Sequence, residues 1–254
     1  MRCQSPTGDL VVPVNYTLKL TPYAYMYLNV AYGNTLTPTQ LRAEPNKEYE
    51  IIFDGDTADI VNIYSASLLK SLGDLSSCYP RGVSATTANK LTELTIGNKK
   101  EGYDNAGLTE LGLGANELLE ELNLANVSGI NFPLSLGGLN NLKKVYAKGT
   151  NATGVTFANG GRIEEAELPA IGSFVAKNLI YLNKLDVASW NNLTYLIVEN
   201  CPAIDVLNVV NNASNLNRVR LIGLDWTGDN KLENDVILNK LYNMTGIDNS
   251  GYNT

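Results

Sequence analysis

The stretch that decides the fold runs from residue 182 to 221 and reads LNKLDVASWNNLTYLIVENCPAIDVLNVVNNASNLNRVRL. It divides into Leu182-x-x-Leu185-x-Val187, Leu193-x-x-Leu196-x-Val198-x-x-Cys201, Ile204-x-x-Leu207-x-Val209-x-x-Asn212 and Leu216-x-x-Val219-x-Leu221, with starts eleven or twelve residues apart. In every copy the fourth and sixth positions are apolar, the period-two signature of a short strand with one face buried. Upstream the same template stands at Leu91-x-x-Leu94-x-Ile96, Leu108-x-x-Leu111-x-Leu113-x-x-Asn116, Leu119-x-x-Leu122-x-Leu124, Leu142-x-x-Val145-x-Ala147 and Ile163-x-x-Ala166-x-Leu168. Weaker copies fill the gaps with Leu134 and Leu136, Val155 and Phe157, and Phe174 and Ala176. A fixed period of this kind specifies a stacked architecture, but eleven residues cannot close a whole coil, since the shortest repeats of such solenoids run about 20. Two copies therefore make one coil of about 22 residues, with strands on both flanks.

Over residues 91–224 the copies resemble a leucine-rich repeat. The resemblance implies a ninth-position Asn or Cys buried at each turn, and a buried Asn must bond the backbone it faces. Cys201, in that position without a basic neighbour, is expected to be an inert core thiol. FANGGRIEE and LPAIGSFVAK, between residues 149 and 181, break the spacing and leave the register there open.

The expected fold is mainly β, a leucine-rich-repeat-like solenoid with a small N-terminal β region and a C-terminal capping helix. Residues 1–58 read as short antiparallel strands, alternating and rich in Val, Tyr and Thr between Pro13, Pro22 and Gly33, with Glu48 to Phe53 as one more. Residues 59–90 read as a cap, in which Asp59 to Tyr64 is a first solenoid-type strand and Leu68 to Pro80 a lid. The solenoid follows over 91–224. In 225–254, Leu232, Val236, Ile237, Leu241 and Met244 lie near one helical face that ends at Gly246.

The 254 residues are 44% apolar and 18% charged, which excludes a charged disordered chain. A net charge of −7 offers no field for a phosphate backbone, so nucleic acid is not an expected partner. With no histidine, Ser-His-Asp and Cys-His catalysis and imidazole-ligated metal are excluded. Cys3, Cys78 and Cys201 allow at most one disulfide, and their spacing matches no thiolate zinc site. MRCQSPTGDLVV lacks the apolar core of a signal peptide, and no apolar run is long enough to span a membrane, so membrane insertion is not expected.

If alternate copies share a flank, its third template position reads Glu121, Lys144, Glu165, Lys184, an alternating ladder of charge. The fifth reads Asn123, Tyr146, Glu167, Asp186, Asn208, a polar strip and the candidate contact surface. The other flank shows Ser135, Thr156, Val175, Ile197 and Arg220, with Tyr195 beside them, an apolar patch suited to docking. Glu167 and Asp186 could also hold calcium or act as an acid/base pair, which requires a substrate-sized cleft between them. Asp54, Asp56 and Asp59 lack the glycine and bidentate Glu of a calcium loop and read as turn residues. Gly112, Gly114 and the glycine pairs at 137–138 and 160–161 sit among repeat copies, away from any strand-to-helix nucleotide loop. Trp190, Trp226 and the tyrosines could stack on sugars. No cofactor, metal or catalytic residue is expected.

The blocks IYSASLLKSLGDLSSCYP, LTELTIGNKKEGYDN, RVRLIGLDWTGDN and TGIDNSGYNT resemble leucine-rich-repeat structural proteins of gut bacteriophages. That resemblance implies a non-enzymatic virion or tail-associated protein for host attachment or assembly, contacting other virion proteins or a host-surface glycan. A symmetric homo-oligomer is implied by the resemblance alone. Secreted or surface-anchored bacterial leucine-rich-repeat adhesins share the same coil chemistry, so an extracellular or cell-surface adhesin for protein or glycan is the alternative.

Overall fold

Alternation dictates where each strand sits. In Lys144–Tyr146 and Glu165–Glu167 only the middle residue is buried, whereas in Leu134–Leu136 the two outer leucines are buried and Ser135 faces water. Short apolar-polar triplets cannot bury their apolar side alone, so they stack. The computed structural model describes residues 2–3, 15–32, 41–54, 61–64, 66–73, 75–78, 80–114, 116–223 and 231–243. It is mainly β, a β-solenoid, and the chain divides into two units, Met1–Asn131 and Phe132–Thr254.

In the first unit the strands are β1 (Arg2–Cys3), β2 (Asn15–Pro22), β3 (Met26–Tyr32), β4 (Leu41–Ala43), β5 (Tyr49–Asp54) and β6 (Val61–Tyr64). They are followed by β7 (Leu69–Gly73), β8 (Pro80–Ser84), β9 (Glu93–Thr95), β10 (Glu110–Gly112) and β11 (Glu121–Asn123). Strands β7, β9 and β11 are parallel, with Leu72, Leu94 and Leu122 in register. On the opposite flank β8 and β10 pair in parallel, Val83 against Leu111. The N-terminal strands β2 to β6 pair antiparallel, in keeping with their alternation and turn residues. Strand β2 lies between β5 and β7, and β3 between β4 and β6. Val61–Tyr64, expected as a first solenoid strand, is therefore an antiparallel partner of β3. The first solenoid strand is Leu69–Gly73, within the segment read as a lid, because its Leu69 and Leu72 are the residues that meet the core.

One turn of this unit is longer than the rest. Leu94 and Leu122 are register partners 28 residues apart, and Gly97 to Gly107 supply the excess. Gly97 permits it: a Cβ there would lie 2.2 Å from the Ala125 carbonyl oxygen and 2.4 Å from its amide nitrogen. Buried Asn105 donates to the Pro80 carbonyl at 3.0 Å and ties the longer turn down.

In the second unit the strands are β12 (Leu134–Leu136), β13 (Lys144–Tyr146), β14 (Gly154–Phe157), β15 (Glu165–Glu167), β16 (Ser173–Lys177), β17 (Lys184–Asp186), β18 (Tyr195–Glu199) and β19 (Arg218–Ile222), with helices α1 (Val206–Asn212) and α2 (Lys231–Asn243). Strands β13, β15 and β17 form one parallel flank, and β12, β14, β16, β18 and β19 the other. On the second flank Leu134, Val155, Phe174, Leu196 and Val219 are successive register partners, 19 to 23 residues apart, so each coil of about 22 residues holds two copies of the motif. The register left open between residues 149 and 181 is thus fixed. Between the flanks Phe174 packs its ring 4.8 Å from Trp190 and edge-on to Phe157 at 6.3 Å.

The copy at Ile204 departs from expectation, forming α1 where a strand was read. Asp205 caps it, its carboxylate accepting from the Asn208 amide at 2.9 Å, and Val206, Val209 and Val210 bury a helical stripe. Asn212, expected at a buried ninth position, instead donates to the Asn208 carbonyl one helical turn back. In α2, which packs on α1, Ile237 and Leu241 are buried while Val236 is 44% exposed, so the packed face is narrower than expected. The side chain of Leu232, and Met244 and Gly246, fall outside the described residues, as do Asp56, Asp59, Trp226 and the side chains of Cys3 and Cys78.

Two ninth-position expectations are met. Asn116, 1% exposed, donates to the Ala85 and Ala88 carbonyls at 3.1 and 2.8 Å. Cys201 is fully buried, donating to the Glu199 carbonyl at 3.2 Å and accepting from the Leu179 amide at 3.4 Å. Burial holds its thiol above the ordinary range, and therefore protonated at neutral pH.

Candidate functional site

The outward positions of β13, β15 and β17 come together as a surface strip. Lys144, Glu165 and Lys184 are register partners in one row, and Tyr146, Glu167 and Asp186 in the next. The first row is the alternating ladder expected, with Lys184 Nζ 3.9 Å from Glu165 Oε2. The second row brings two carboxylates side by side, an arrangement that a nearby cation relieves.

Lys148 supplies it. Two residues past β13, its Nζ donates to Asp186 Oδ2 at 2.8 Å, while Asp186 Oδ1 accepts from the Ala188 amide at 3.1 Å. The Lys148 hydrogen bond holds the Asp186 carboxyl below its ordinary range, helped by the Ala188 amide. Asp186 in turn, by hydrogen bond and charge, holds the Lys148 ammonium above its own range, with Glu167 adding to the pull. Lys148, Glu165, Glu167, Asn183, Lys184 and Asp186 line an open, predominantly polar hollow of about 510 Å³. Such a surface suits multiple hydrogen bonds to a polar partner.

The remaining candidates lie elsewhere. Asn123 is on β11 in the first unit, its register partner Thr95 and its side-chain oxygen held by the Ala125 amide at 3.0 Å. Asn208 does not continue the strip as a strand residue, since it lies in α1. On the other flank Ser135, Thr156, Val175, Ile197 and Arg220 do fall in one register row. Ile197, however, is only 8% exposed, so it belongs to the buried set and not to an exposed apolar patch. Tyr195 carries the Arg218 guanidinium 5.6 Å from its ring centroid. Four positions beyond Tyr195, Glu199 sits between Lys177 at 3.2 Å and Arg220 at 3.1 Å, so this end of the flank is charged.

Sequence reasoning missed Lys148 and Glu199, each at the unconstrained seventh position of its copy, directly after the sixth-position residues Ala147 and Val198. Extending the register by one position on each copy would have set Lys177 opposite Glu199. Among the described residues no helix is long and apolar enough to cross a membrane. Comparison of the chain with protein-family models, with curated proteins and with solved structures finds no match.

Proposed function

We propose that this chain is a non-enzymatic structural or adhesion module, a virion or tail-associated component of a bacteriophage, that presents its solenoid to another virion protein or to a host-surface glycan. The observation that carries the reading is the strip on β13, β15 and β17: outward side chains in register on a parallel sheet, with Asp186 already held by Lys148. A carboxylate tied to an ammonium is a poor general base or nucleophile, but it is well placed as a fixed hydrogen-bond acceptor on a rigid surface. Stacked coils are a common platform for extended recognition, because neighbouring turns hold neighbouring side chains at strand spacing. The phage assignment is supported by the sequence blocks between residues 63 and 254 that resemble such structural proteins.

The experiment is a mass-spectrometric survey of purified phage particles and of bacterial surface fractions from a culture producing the chain. Stoichiometric recovery with capsid and tail proteins is the expected result. Recovery in the bacterial surface fraction, free of particles, overturns the phage placement in favour of a bacterial adhesin.

A further inference from the structure

A second surface lies on the antiparallel strands of the first unit. The chain enters β3 as Tyr23-Ala24-Tyr25-Met26-Tyr27, and Met26 is 5% exposed while the three tyrosines are 52, 67 and 64% exposed. Strand alternation explains the split and sets Tyr25 and Tyr27 on one outward face, about 7 Å apart. On β4, Arg42 pairs with Tyr27 and buried Ala43 with Met26, so Arg42 rises on the tyrosine face. Its guanidinium carbon stands 6.0 Å from the Tyr25 ring centroid, and Lys90 Nζ stands 5.9 Å from that of Tyr23.

The charges around this row are unequal. Glu44, the acid next along the Arg42 face, is 3.7 Å from Lys47. Arg42 and Lys90 have no carboxylate partner among the described residues. In a chain of net charge −7, two cations left beside three exposed rings make a local site for an anion. The rings restrict the kind of anion: an exposed π-face gains from a broad patch of C–H groups, which one face of a sugar ring offers and the one or two methylenes of a carboxylate side chain do not.

We propose that Tyr23, Tyr25 and Tyr27, with Arg42 and Lys90, bind an acidic glycan. Sugar faces stack on the tyrosines, and the carboxylate or sulfate groups of the glycan meet Arg42, which can engage them through two parallel N–H bonds, and Lys90. The site uses none of the β13, β15 and β17 strip and does not rest on where the protein resides.

The test is biolayer interferometry of the full chain on immobilised polygalacturonate, chondroitin sulfate, neutral dextran and polyglutamate. Binding to one or both acidic glycans is expected, weakening as salt is raised, with the carboxylated and sulfated probes distinguishing which anionic group is read. Tyr25→Ala, Tyr27→Ala and Arg42→Gln should each weaken it by about tenfold or more. Tyr242→Ala, a still more exposed ring on α2, should leave it unchanged. Because the substituted side chains stand outside the core, thermal midpoints stay near wild type and separate lost binding from lost folding. Absence of binding to both acidic glycans overturns the proposal, as does equal binding to dextran or indifference to the three substitutions. Equal or tighter binding to polyglutamate overturns it in favour of an acidic protein partner. Either result is independent of whether the chain co-purifies with particles.

Discussion

Asn116 shows how one side chain closes a turn. Its amide donates to two carbonyls, those of Ala85 and Ala88, which also accept from the Ala88 and Leu91 amides, so the side chain locks a turn the backbone has begun. Asn116→Ala removes two buried hydrogen bonds, each worth about 0.5–1.5 kcal/mol, and should cost about 1–3 kcal/mol, read as a lower urea midpoint with an unchanged slope. This residue was legible in the sequence, because the leucine-rich repeat it resembles places a buried Asn or Cys at the ninth position. Lys148 was not, because it reaches Asp186 across 38 residues of sequence from a turn the template does not constrain. Their pair makes a signed prediction. Asp186 titrates below its unfolded value of about 3.9, so its contribution is present at neutral pH and is lost as pH falls through the folded value. Lys148→Met should therefore cost a few tenths of a kcal/mol near pH 7, small because the pair faces water. The difference from wild type should shrink progressively as pH falls below the ordinary carboxylate range, in urea melts across that range.

Corners join the strands, and on the β14, β16, β18 flank each corner is built around asparagine. Asn178 and Asn200 adopt left-handed backbone, φ 55 and 52 degrees, directly after β16 and β18. Asn178 donates to Asn159 Oδ1 at 2.6 Å and accepts from Asn200 Nδ2 at 2.9 Å, so successive turns are linked side chain to side chain. The stack ends at Gly223, φ 64 degrees, where a Cβ would fall 1.8 Å from Asn200 Oδ1. Asn178→Ala removes the links and forces alanine into left-handed backbone, whereas Asn178→Gly removes only the links. Both should melt below wild type in calorimetry, with the alanine variant less stable than the glycine variant by about 1 kcal/mol. Equal stabilities would mean that the corner relaxes away from left-handed backbone. The same scale shows where sequence reading failed. Ile204, Leu207 and Val209 fit the strand template, but Val206, Val209 and Val210 fit a helix equally well, and the Asp205 cap decided between them. Val61–Tyr64 fits either a parallel or an antiparallel neighbour, and only tertiary pairing with β3 settles which.

For the whole molecule, repetition was the legible property, because an eleven-residue spacing of buried positions specifies stacked coils whatever the surface residues are. The ligand surfaces were less legible, since outward positions are free of the core's demands and acquire meaning only when register sets them side by side. Stacking also governs how damage spreads. Each coil contacts its neighbours, so stability is close to a sum of nearest-neighbour terms and not one indivisible core. Phe174, fully buried on β16 between Phe157 and Trp190, tests this. Phe174→Ala should cost about 3–5 kcal/mol, and native-state hydrogen exchange should show where that cost is felt. Amides of β16 and its direct partners β14 and β18 should lose the most protection, and those of β12 and β19, one strand further on each side, should lose less. A uniform loss across all five strands would instead mark the second unit as a single cooperative block, in which the repeat organises the sequence without dividing the folding energy.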